Sequence, residues 1–206
     1  MAMSSQGAPR RSSYRRWQRR VWCAALLAIL MVPVLLASSA SSNNFRGCAD
    51  PALEPCFANN STHYFSYNLN ASGGRWRSAV EFTRVNSYET TDLTTALALH
   101  EQSDVYYYID NTDRGLYGQY FCLYPEAGRP GVCHHSHIWF NDTYSLTQDQ
   151  RISVACHETG HRLGLRHPAD ANPPAPDDPS VYQCMVVAGF PIFLGSHNVS
   201  HLNSRY

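Results

Sequence analysis

An α+β fold is what this sequence predicts, and three observations carry that expectation. Runs rich in β-branched and aromatic residues recur at 104–110, 116–124 and 137–140, as sheet strands do. Apolar or small residues at Trp76, Ala79, Val80, Thr83 and Ser87 repeat at helical spacing over 75–88, which suits a helix lying on that sheet. A second helix is expected over 148–163, opened by a capping box of Ser145 and Gln148 and ended by Gly164. With 206 residues and 44% apolar content, the chain supports one domain with a real core.

Taken from the N-terminus, residues 1–40 read as a secretory signal peptide. Arg15-Arg16-Trp17-Gln18-Arg19-Arg20 precedes an apolar run from Val21 to Ala37 that ends in small residues, and cleavage after Ala40 starts the mature chain near Ser41. Six of the sixteen basic residues, all arginine, lie in this segment together with none of the sixteen acids. The remainder therefore sets ten arginines against sixteen acids, a formal charge of −6, and an acidic chain without a basic run excludes nucleic acid as a partner. Losing the signal also removes Cys23 and leaves six cysteines, which in an exported chain implies three disulfides. Six cysteines allow 15 pairings; nearest-neighbour pairing, Cys48–Cys56, Cys122–Cys133 and Cys156–Cys184, is the expectation.

Residues 41–74 are polar and rich in Asn and Ser, with one aromatic patch at Tyr64, Phe65 and Tyr67, and read as an extended N-terminal lead-in or short pro-segment. The Thr and Leu alternation over 91–99 favours a strand, and 125–131 carries turn residues. His134, His135 and His137 include two alternate positions that share a strand face, but no acid-rich loop adjoins them, so hydrogen-bonded or solvent-facing histidines are expected and not a second metal site. Glycosylation sequons begin at Asn59, Asn60, Asn70, Asn141 and Asn198, implying surface glycans in a host that adds them.

The chemistry concentrates in His157-Glu158-Thr159-Gly160-His161-Arg162-Leu163-Gly164-Leu165-Arg166-His167. Histidines four apart on a helix share a face, so His157 and His161 can reach one zinc ion. Glu158 lies about 100° further round the helix, where its carboxylate can hold a water beside the metal as general base. Gly164, without a β-carbon, lets the chain turn sharply and bring back His167 as the third ligand. Three protein ligands leave a fourth position open, the mark of a catalytic zinc site. Beyond His167 a proline-rich surface loop, 168–179, precludes helix, Met185 follows in an apolar setting, and Ser196 is expected to cap a short closing helix with Val199, Leu202 and Tyr206 on one face.

Five fixed identities in eleven positions spell HExxHxxGxxH, and through them the chain resembles the metzincin clan of zinc endopeptidases, in particular small secreted bacterial matrixin-like peptidases. The likeness is strongest over 138–190. It implies a metzincin-like zincin fold over 75–206: a mixed twisted β-sheet, an active-site helix, and a small C-terminal subdomain ending in a short helix. It also implies one catalytic Zn²⁺ held by His157, His161 and His167, with Glu158 catalytic and Met185 supporting the site without ligating it. The activity implied is that of a secreted, extracellular, monomeric zinc metalloendopeptidase, hydrolysing peptide bonds by a zinc-bound water with a glutamate base. A protein or peptide substrate would pair with the sheet's edge strand and place a side chain against residues 186–193. No stable membrane association is expected once the signal is cleaved, and a catalytically silent secreted zinc-binding module is the alternative. Two departures stand out: Pro168 follows His167 as in serralysins, whose glycine-rich calcium repeats this chain lacks, and Val187 stands where astacins and serralysins place a tyrosine. The segment Arg46-Gly47-Cys48-Ala49-Asp50-Pro51 resembles a matrix metalloproteinase cysteine switch, but a disulfide to Cys56 is expected to occupy Cys48.

Overall fold

Six strands form one mixed sheet in the computed structural model, which describes residues 43–51, 54–69, 74–112 and 115–206. The signal-peptide reading of 1–40 and the sequon at Asn70 lie outside the described residues. The strands are β1 (Phe57–Ala58), β2 (Thr62–Asn68), β3 (Thr94–Leu97), β4 (Val105–Ile109), β5 (Gly118–Pro125) and β6 (Val132–Phe140). Strands β3, β2, β4 and β6 run parallel in that spatial order, β5 adds antiparallel to β6, and β1 pairs with the first two residues of β6. Tight parallel pairing needs crossovers, which helix α1 (Arg75–Thr83) and the following segments supply, whereas β5 and β6 are joined by a short turn.

The sequence expectations hold for four strand regions and three helices, with corrections that have physical causes. Thr62–Asn68, read as lead-in, is an interior strand: it buries His63 and Phe65 on one face and Ser66 on the other, so no apolar alternation marks it. Strand β6 begins at Val132, five residues earlier than expected, because β5 continues opposite it to Pro125 through two register shifts. Helix α1 buries Trp76, Ala79, Val80 and Thr83 as its spacing implies, then continues over Arg84–Tyr88 as a π-helical turn burying Ser87 and Tyr88.

Helix α2 (Gln148–Arg162) is capped by Thr147 and not Ser145. The Thr147 side chain accepts from Gln150 N (3.2 Å) and the Gln150 side chain accepts from Thr147 N (2.8 Å). Ser145-x-x-Gln148 and Thr147-x-x-Gln150 both satisfy the capping-box pattern, so the sequence left two frames open. Helices α3 (Pro179–Tyr182) and α4 (Ser196–Arg205) follow, and α4 is preceded by Gly195 at its N-cap, with no cap from Ser196. Leu202 is buried on α4, with Val199 and Tyr206 packed against the same cluster.

Two apolar clusters meet along α2. One joins the sheet to α1 and α2 through Trp76, Tyr107, Ile138, Phe140, Ile152 and Ala155, with the Trp76 and Phe140 rings stacked at 4.3 Å. The other joins the end of α2 to the C-terminal segment through Leu163, Leu165, Met185 and Leu202. Burying each large side chain contributes about 1.5–3 kcal/mol, so α2 is fixed from both sides. The disulfides are Cys48–Cys56, Cys122–Cys133 and Cys156–Cys184, the nearest-neighbour set, and Cys48 is thereby unavailable as a switch thiol. The surface-glycan expectation is corrected at two sequons, since Asn141 and Asn198 are fully buried. Among the described residues no helix is long and apolar enough to cross a membrane.

Candidate metal centre

One helical turn separates His157 from His161 on α2, and the chain then reverses at Gly164. Gly164 has φ 93°, and a β-carbon there would meet the Phe57 ring at 2.6 Å, so glycine is required on both conformational and steric grounds. The reversal brings His167 back to the helix. The three Nε2 atoms lie 3.0 Å (His157 to His167), 3.0 Å (His157 to His161) and 3.2 Å (His161 to His167) apart.

Hydrogen bonds on the far side of each ring decide what those nitrogens can do. His157 Nδ1 lies 2.8 Å from Cys184 O, His161 Nδ1 lies 2.8 Å from Leu165 O, and His167 Nδ1 faces the Asp170 carboxylate at 3.4 Å. A carbonyl only accepts, so Nδ1 of His157 and His161 carries the proton and Nε2 of each neutral ring presents a lone pair. Burial pushes His157 down to about 4, His161 well below its ordinary value and His167 down as well, which keeps the rings neutral. Converging lone pairs without protons need a cation. A tetrahedral zinc with Zn–N near 2.0–2.1 Å spaces its nitrogens about 3.3 Å apart, so the donor set fits one ion. Among the described residues these three make up the group of His, Cys, Asp and Glu whose donor atoms lie within 4.8 Å of one another.

Glu158 is buried beside the histidines, and its Oε2 accepts from the backbone N–H of Tyr120 on β5 at 2.8 Å. Burial raises its carboxyl to about 7, against the pull of the Tyr120 N–H. The four side chains open into a cleft of about 680 Å³. Strand β5 lines one wall, Val186, Val187, Gly189 and Phe190 another, and Pro51, Glu54 and Pro55 of the lead-in close one end.

Behind the histidines lie the expected Met185 and Cys156–Cys184 bond, joined by backbone contacts that no residue identity announces. Tyr182 to Met185 form a turn closed by Met185 N donating to Tyr182 O (3.1 Å), with Gln183 at φ 49°, ψ −125°. That turn aims Cys184 O at His157, and the Cys156–Cys184 disulfide staples it to α2. Met185 is fully buried under the helix: a β-carbon at Gly160 would overlap its sulfur, which explains glycine between the two histidines. Asp177 of the proline-rich loop accepts from Val187 N (3.0 Å) and Ala188 N (2.9 Å), tying that loop to the cleft wall. Next to His167, Arg166 donates to Gly47 O and to Glu54, both at 3.1 Å, and holds the Glu54 carboxyl down at about 2. Asn44 brackets the same residue, with Arg166 N donating to Asn44 O (2.8 Å) and Asn44 Nδ2 to Arg166 O (2.9 Å). By contrast His135 and His137 meet Ser103 O and a set of aromatic rings on the other face of the sheet.

The sequence profile of the family described as Matrixin matches residues 61–173, just over half of the chain, a span that includes Glu158 and the three histidines. No curated protein matches the chain.

Proposed function

We propose, because this chain belongs to the matrixin family, that it is a secreted zinc-dependent endopeptidase whose site is His157, His161, His167 and Glu158. Family membership supports a metalloprotease in general, and three disulfides are consistent with an extracellular protein. The observation that carries the site is the convergence of three Nε2 lone pairs within 3.0–3.2 Å beside a buried carboxyl.

The three histidines would hold the ion, their Nδ1 contacts to Cys184 O, Leu165 O and Asp170 fixing tautomer and ring direction. Zinc in such a site supplies Lewis-acid polarisation of the scissile carbonyl and lowers the pKa of a water towards ~7. Glu158 keeps Oε2 on Tyr120 N–H, leaving Oε1 to take the proton of the attacking water and return it to the leaving nitrogen. Burial favours the protonated form of Glu158, which suits a group that must accept a proton and return it. The outer edge of β5 offers main-chain groups to an extended substrate, and the wall of Val186, Val187 and Phe190 suits an apolar side chain.

The test is cleavage of a quenched peptide library by the secreted chain with and without a zinc chelator, with metal content counted alongside. Chelator-sensitive cleavage at about one catalytic zinc per chain is expected. Glu158→Gln should keep that zinc while kcat falls about 10²–10⁴-fold. Undiminished hydrolysis in Glu158→Gln would overturn the mechanism, and wild-type zinc without cleavage would point to the silent binding module.

A further inference from the structure

The chain contains a second histidine pair four residues apart, His197 and His201, on helix α4. Their Nε2 atoms lie 3.1 Å apart, and their rings meet edge to face at 4.4 Å and 84°. The corresponding values for His157 and His161 are 3.0 Å, 4.6 Å and 85°. Both pairs are thus the same helical chelate: adjacent turns of one face, rings crossed, Nε2 atoms brought to the spacing that two ligands of one small ion adopt.

The surroundings fix the second pair in place. His201 stacks on Phe45 at 5.6 Å with the planes 24° apart, and the His197 ring meets Tyr182 edge to face at 5.1 Å. Between them Asn198 points inward, donating to Tyr182 O (2.9 Å) and accepting from Asn44 Nδ2 (3.0 Å), which anchors the turn of helix that carries both rings. Both histidines are half-buried, with one side towards solvent. No carboxylate, thiol or third histidine joins them within metal-ligand reach among the described residues.

We propose that His197 and His201 form a second binding site for a divalent late transition-metal ion, with zinc the ion expected, two imidazole ligands from the protein and water in the remaining positions. Imidazole suits zinc, copper and nickel and not the hard cations, so calcium and magnesium are not candidates. Open coordination positions without a buried carboxyl make this a stabilising site and not a hydrolytic one: an ion bridging adjacent turns locks α4 in its helical form against Phe45 and Tyr182. Anything that binds only the folded form raises its stability with concentration.

Equilibrium dialysis of the full secreted chain against zinc buffered in the low-micromolar range, with bound metal counted per chain, tests this. Wild type should hold about two ions, His201→Asn and His197→Asn about one each, and His161→Asn should lose one while keeping the other. Because His201 packs on Phe45, the His197→Asn variant guards against a folding artefact; both single variants should cleave peptide within twofold of wild type. Zinc added beyond the first equivalent should raise Tm in wild type and leave it unmoved in either α4 variant. A wild-type chain that stops at one zinc, the α4 rings then sharing only a hydrogen bond, would overturn the proposal. So would a His197→Asn/His201→Asn double variant that still takes up two. A single ion lost with His201 and kept without His161 would instead count against the reading of α2.

Discussion

Helices α2 and α4 carry histidine pairs of nearly identical geometry, yet they stand at opposite ends of a scale of support. Around the α2 pair, a third histidine returns through Gly164, a carboxyl is held by the main chain of β5, and backbone carbonyls fix both Nδ1 atoms. The α4 pair meets Phe45 and Tyr182, with an asparagine that anchors the helix from below, and among the described residues no third histidine or carboxylate comes within metal-ligand reach of it. Helical spacing alone sets the distance between two imidazoles; what the ion can then do depends on groups that arrive from elsewhere in the chain. The difference teaches that an HxxxH pair is a binding device, and becomes a reaction site only when a third ligand, an open position and a base are delivered to it.

Removing the staple beneath α2 should narrow that difference most. The Cys156–Cys184 bond closes a separation of 28 residues, for which loop entropy implies about 3–4 kcal/mol of stability. A Cys156→Ser/Cys184→Ser double variant should lose that in chemical denaturation. It should also bind the α2 zinc about 10–100-fold more weakly, because Cys184 O no longer steadies His157. Unchanged zinc affinity would show that the turn orients nothing.

Acid should weaken the packing on the inner side of α2. His63 on β2 shares a small buried cavity with Thr159 and Leu163 of that region, and burial, reinforced by the charge of Arg162, pushes it down to about 3. The unfolded chain takes up this proton below an ordinary pKa near 6.5, while the folded chain refuses it until about 3. Its contribution to stability is therefore complete above pH 6.5 and is lost progressively as pH falls towards 3. Urea midpoints of wild type measured between pH 7 and pH 4 should drop, and His63→Leu should flatten the slope by up to one proton per chain. An equal slope in both would remove His63 from the account.

The smallest effect should come from Gln183, which occupies the first central position of a type II′ turn, where glycine is the natural residue. Gln183→Gly relieves a left-handed backbone but loosens the unfolded chain, for a net gain of about 1 kcal/mol. Because the main-chain bond from Met185 to Tyr182 is kept, peptide cleavage should stay within twofold; a loss of stability would mean the glutamine side chain contributes more than its backbone costs.

Much of the α2 site was legible because each element of it has a residue identity at a fixed spacing: His157, Glu158, His161, Gly164 and His167 read directly from the chain. Tyr120 was not legible, since its contribution to Glu158 is a backbone N–H that any residue would supply. Gly160 was passed over because its reason, the sulfur of Met185, lies 25 residues away. Strand β2 was not legible because its buried positions include His63 on one face and Ser66 on the other, polar residues that only the packed sheet reveals as interior. The second histidine pair was equally visible as letters, but without glycine, glutamate or a third histidine nearby its spacing made no claim on attention.

Buried Asn198 has a consequence for anyone producing this protein. Its sequon reads Asn198-Val199-Ser200, and a host that attaches oligosaccharides as chains emerge would modify that amide before the helix docks. The sugar has no space where Asn198 is fully enclosed, so the modified side chain could not enter the position in which it donates to Tyr182 O and accepts from Asn44. A bacterial expression system, or a chain whose exposed Ser200 is replaced by alanine, avoids making a glycoform that cannot close its own C-terminus.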